Sequence, residues 1–165
     1  MSVLTSLFNY KAWSDAELYS AVETLGPDAN SDERHNALRL LNHIHVVDKI
    51  FAGHLQSKPH GFAATNTPET PTLAELSWTS QETDSWYIRH VTTLTAQDLA
   101  QQISFTFTDG DAGRMTREEL LLHVIAHGTY HRGAVGRILF NQSVTPPRDL
   151  FTKFLHTTQL ERRAG

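Results

Sequence analysis

Four long stretches of helical periodicity, separated by proline- and glycine-bearing breaks, limit what this chain can fold into. Over residues 2–25 the apolar positions Leu4, Leu7, Phe8, Leu18, Val22 and Leu25 mostly follow i, i+3, i+4 spacing. Ser2 stands where a cap belongs, and Gly26-Pro27 predicts the stop. A polar run over 28–32 predicts a turn. The second helix is expected over 33–57, carried by Leu38, Leu41, Ile44, Val47, Phe51 and Leu55 and closed by Pro59 and Gly61. Thr72-x-x-Glu75 and Thr116-x-x-Glu119 are capping-box patterns, so further helices are expected over 73–93 and 117–141.

The segments between the helices are equally informative. Residues 58–71 hold Pro59, Pro68 and Pro71 with no periodicity, which suits a crossover between helices that do not form a tight hairpin. Thr95-x-x-Asp98 predicts a short extra turn. Ile103, Phe105 and Phe107 alternate with polar residues and lead into Asp109-Gly110-Asp111, a strand-and-turn pattern. A lone hairpin does not make a sheet, so it reads as decoration. Pro146-Pro147 predicts a break, and 149–156 a short closing helix. The expected fold is an all-α four-helix bundle with a long crossover loop and a small strand-like hairpin insertion. The 165 residues fit a single domain over 1–165, with 156–165 a loose tail.

Composition narrows the chemistry. Cysteine is absent, so disulfides, thiolate metal sites and cysteine nucleophiles are excluded and any metal needs nitrogen or oxygen ligands. A net charge of −4 argues against a nucleic-acid binder. No apolar run approaches a membrane span. The first residues lack the basic-then-apolar order of a signal peptide, and the expected compartment is cytoplasmic. P-loop, dinucleotide-binding and nucleophile-elbow motifs are all missing.

Histidine is the abundant chemistry-bearing residue, ten in all, six of them within 35–45 and 123–131. His123, His127 and His131 are spaced i, i+4, i+8 on the fourth helix. Neighbours in that series can share a metal; the outer two, about 12 Å apart along the axis, cannot easily do so. On a helical wheel His131 lies about 65°, His127 about 105° and His123 about 145° from the apolar direction. An interior site therefore favours His127 and His131, with His123 facing solvent. A catalytic metal usually takes a third protein ligand, and the second helix offers His43 and His45, pointing about 200° apart. The wheel prefers His43 weakly. Asp48, near the same apolar stripe, suits an acceptor that fixes an imidazole tautomer. The competing reading is a helix with ordinary surface or interior histidines. His35, His54, His60, His90 and His156 read as such.

Other constellations are weaker. Gly128 follows His127 where a zinc protease needs Glu, and the paired Glu-x-x-His motifs of di-iron bundles are absent. Arg114, Arg117, Arg132 and Arg137 suit surface ion pairs or an anionic substrate. Trp13, Trp78 and Trp86 read as core or interface anchors.

FNYKAWSDAEL in the first helix, LNHIHVVDKIFAGHL in the second and LLLHVIAHGTYHRGAVGRIL followed by PPRDLFTKFL in the last make the chain resemble the DinB family. HGTYHRG is the most specific of these pieces. The resemblance implies a four-helix bundle, often a homodimer, with a divalent ion held by three histidines, matching His43, His127 and His131 here. It further implies a metal-dependent enzyme acting on a small molecule, a hydrolase or an S-transferase using a low-molecular-weight thiol. Zinc or nickel are the first expectations for the ion, with iron or manganese compatible. Neither nucleic acid nor membrane is an expected partner. A non-catalytic metal-binding stress-response protein is the alternative, and a bundle whose histidines are purely structural is a third.

Overall fold

Apolar stripes on long helices must be covered, and here four helices cover one another. The computed structural model describes residues 2–26 and 31–163; Pro27 and residues 28–30 of the turn expected at 28–32 lie outside the described residues, and the rest of that run is already helical, α2 beginning at Ser31. In chain order the elements are α1 (Val3–Glu23), α2 (Ser31–Gln56), α3 (Leu73–Thr92), α4 (Ala96–Leu99), β1 (Gln102–Thr106), β2 (Ala112–Thr116), α5 (Arg117–Asn141) and α6 (Phe151–Thr158). Ser2 caps α1 by accepting from the Thr5 N–H. Both expected capping boxes form, Thr72 with Glu75 and Thr116 with Glu119, and a third forms at Thr95 with Asp98. Each satisfies backbone donors that a helix start leaves unpaired. No described helix is long and apolar enough to cross a membrane.

Helices α1 and α2 each pack on both α3 and α5. Phe8 stacks on Tyr87 while Lys11 meets Asp84, so α1 and α3 run antiparallel. Arg117 reaches the Leu55 carbonyl while His127 meets His43, so α2 and α5 are antiparallel too. Tyr87 donates to the Asp48 carbonyl and His90 lies by Arg117 near Leu55, which makes α2 and α3 parallel. The chain must therefore return along the length of α2 before α3 begins, and this is why the connection is long. It stays pinned there: Asn42 bonds to Asn66 and to Thr67 Oγ1, and Arg39 donates to the Thr67 carbonyl at 2.7 Å. Gly53 permits the sharp return, because a Cβ there would stand 2.9 Å from the His60 Cβ.

Two apolar clusters fill the bundle. One joins Phe8, Val47, Phe51, Tyr87, Leu120 and Val124 at the hairpin end. The other joins Leu18, Val22, Leu41, Leu76, Val135 and Leu139 at the opposite end. The hairpin belongs to the first cluster and is not decoration: alternation along β1 buries Ile103 and Phe105. Its register sets Phe105 opposite Gly113, where an added Cβ would lie 2.6 Å from the Phe105 ring.

Two local expectations change, those for Trp78 and for the tail. Trp78 is 62% exposed rather than a core anchor, since it sits on the outer face of α3. α5 ends at Asn141, as the sequence predicts, through left-handed Ser143 (φ 61°) ahead of the proline pair. The tail is helical to Thr158 and then forms a 3₁₀ turn, Leu160–Arg163, with Arg163 donating to the His156 carbonyl.

Candidate metal centre

His127 and His131 lie one turn apart on α5, and antiparallel packing brings His43 of α2 against both. One ring nitrogen from each of the three lies within 4.8 Å of the others. His43 Nε2 and His127 Nε2 are 3.0 Å apart. The His43 Nδ1–H donates to the Thr65 carbonyl at 2.7 Å. Because a carbonyl only accepts, this bond fixes the proton on Nδ1 and leaves the Nε2 lone pair facing His127. Crossover residue Thr65 thus orients a side chain on α2.

The donor set suits a borderline metal ion. Ligand nitrogens of one tetrahedral ion stand about 3.4 Å apart, comparable with the 3.0 Å between the His43 and His127 Nε2 atoms. Burial, then His131 and His43, push the His127 pKa down to about 3, so this ring is neutral across the physiological range. Burial and His43 lower His131 as well. Neutral imidazoles are the form that binds metal. His127 Nδ1 is buried without a hydrogen-bond partner among the described residues.

The wheel's preference for His43 over His45 matches the geometry. His45 is held apart from the group, its pKa lowered to about 4 by burial. His123 is exposed, as expected, yet its ring packs on Phe51 at 4.5 Å and beside His127 at 5.5 Å. Asp48 does not orient an imidazole. It bonds to Lys11 Nζ at 2.7 Å, and its Oδ1 has no partner among the described residues.

That Lys11 contact belongs to a buried ionic layer that the apolar pattern did not reveal. Lys11, wholly buried, meets Asp15, Asp48 and Asp84 at 2.6–2.7 Å. Arg132 is 3% exposed and bridges Asp15 and Asp149 at 3.1 and 2.9 Å, so it is neither a surface residue nor a free anion site. Burial and neighbouring carboxylates raise Asp48 to about 6 and Asp84 to about 7 despite Lys11. One ammonium cannot hold three anions in a low-dielectric interior, so protons are retained there. The layer lies close to the imidazoles, since Lys11 is among the charges depressing His127 and His45. A sequence signal existed: Phe8, Lys11, Asp15, Leu18 and Val22 share one stripe, as do Leu76, Ser80, Asp84, Tyr87 and Val91.

A cavity of about 240 Å³ adjoins the cluster, walled by Val47, Ile50 and Phe51 of α2, Phe107 at the hairpin tip, and His43 and His127. The singleton His54 also lines it. The description DinB family belongs to the family model that matches residues 1–163, while no curated protein and no solved structure matches.

Proposed function

The chain belongs to the DinB family, and from that premise we propose that it binds one divalent metal ion through His43, His127 and His131 and uses it on a small molecule. The observation that carries the reading is the convergence of three imidazoles beside a cavity. Three neutral ligands leave the ion its full charge and leave positions free for a ligand. Held there, a divalent ion supplies Lewis acidity, which polarises a carbonyl or makes a water or thiol more acidic. The chain's own part is to hold the imidazoles: Thr65 fixes the tautomer of His43, and α5 spaces the other two by one turn.

A metal-dependent hydrolase or a transferase using a low-molecular-weight thiol both fit this chemistry, and zinc or nickel fits three imidazoles best. Elemental analysis of untagged protein tests the binding claim. About one divalent ion per chain is expected in the parent and none in His43→Ala or His131→Ala, with helix content kept. Equal metal in parent and variants sinks the assignment. Hydrolysis and thiol-transfer assays on the loaded parent then separate an enzyme from a non-catalytic metal-binding protein.

A further inference from the structure

The cavity beside the imidazoles has a composition that selects what enters it. Four of its ten lining residues, Val47, Ile50, Phe51 and Phe107, are apolar, the other six are histidine or threonine, and among the described residues no Asp, Glu, Lys or Arg lines it. A charged group drawn against these walls would lose its hydration and meet no charged side chain among the described lining residues, the only counter-charge being that of an ion held at the imidazoles, which is costly away from that ion. An apolar group would lose nothing and would gain burial. Size narrows the choice further. A dry apolar cavity of about 150 Å³ accepts benzene, so 240 Å³ accommodates a ring plus a short linker.

Phe107 strengthens the case. It sits where the hairpin turns, its N–H donating to the Asp111 carbonyl and its own carbonyl accepting from Gly110. Its side chain is 37% exposed at the cavity wall, although Phe105 packs against it at 4.8 Å. Four separate elements contribute to the cavity: α2, the crossover at Thr65, the hairpin at Phe107 and Thr108, and α5 at His123 and His127.

We propose that this cavity binds an uncharged, ring-sized apolar group, so that the substrate is a small molecule with a metal-binding donor attached to an aromatic or similarly compact apolar body. This rests on the three-histidine metal reading above. It also bears on the thiol alternative: a thiol cosubstrate with carboxylates or amines would have to keep those groups outside the cavity.

Two hydroxamates with the same chelating head test it. Zinc-loaded protein, its metal content measured first, is titrated calorimetrically with acetohydroxamate and with benzohydroxamate. The ring is expected to tighten binding roughly tenfold or more, and Phe107→Ala to erase most of that gap while keeping zinc. Full zinc with equal affinity for the two probes overturns the proposal and leaves the metal reading standing. Metal-free protein is probed in parallel with fluorobenzene by fluorine NMR. If zinc does not bind but fluorobenzene binds and depends on Phe107, the metal reading fails and the ring-sized site survives. If neither binds, both fail. Phe107 is partly exposed, and circular dichroism confirms that its variant is folded.

Discussion

Lys11 is the single side chain on which most buried charge depends. It is fully enclosed, it is the shared partner of three carboxylates, and its pKa is held well above the usual lysine range by Asp15, Asp48 and Asp84, which outweigh the cost of burial. Lys11→Met keeps the volume but strands the anions, so a loss on the order of 3–5 kcal/mol is expected in urea unfolding. A loss below about 1 kcal/mol would mean that the carboxylates are neutral without it. Asp84 offers a pH test with a definite sign. Burial and its carboxylate neighbours raise its folded pKa to about 7 from 3.8, so the folded state keeps a proton that the unfolded state releases. Its contribution to stability is therefore greatest below about pH 4 and is lost as pH rises to about 7. Asp84→Asn removes that loss. The urea midpoint of the variant relative to the parent should improve between pH 5 and pH 8; movement the other way would make Asp84 the anion of the native state.

Among the elements, the hairpin shows how much depends on one missing side chain. Gly113 lies under the Phe105 ring, and a methyl group there overlaps it. Gly113→Ala should cost roughly 1–3 kcal/mol by overpacking, and the cost should shrink in a Phe105→Leu background; equal costs in both backgrounds would show that the ring is not the obstacle. The four long helices were legible because apolar period and capping boxes agree, and Thr72-x-x-Glu75 and Thr116-x-x-Glu119 mark helix starts at Leu73 and Arg117. The crossover was legible from its prolines and length. The hairpin's place in the core was not, because Ile103 and Phe105 show only that one face is apolar, and nothing local says which surface covers it. The ionic layer escaped for a related reason. Lys11, Asp15, Asp84 and Arg132 occupy core positions of their stripes, and a pattern read only for apolar residues passes over them.

Across the whole molecule, the candidate site joins helices that are far apart in sequence. His127 and His131 were legible as a pair because one helix carries both at i, i+4. His43 required knowing which face of α2 meets α5, and the wheel gave only a weak preference over His45. The cavity was not legible at all, since crossover, hairpin and two helices build it together. The same geometry predicts a linkage between metal and global stability. An ion held by His43 on α2 and by His127 and His131 on α5 binds the folded chain far better than an unfolded one, in which the three are scattered. At free zinc about a hundredfold above its dissociation constant, the folded state gains about 2.7 kcal/mol. For a chain of this size that corresponds to a rise in melting temperature of roughly 5–10 °C. The rise should follow free zinc logarithmically, should reverse with chelator, and should vanish in His43→Ala, because removing the α2 ligand leaves both remaining imidazoles on one helix. A rise of equal size in that variant would place the stabilising ion elsewhere on the chain. A parent that binds zinc without any rise would mean that the unfolded chain holds the ion equally well, and that the three imidazoles are not preorganised by the bundle.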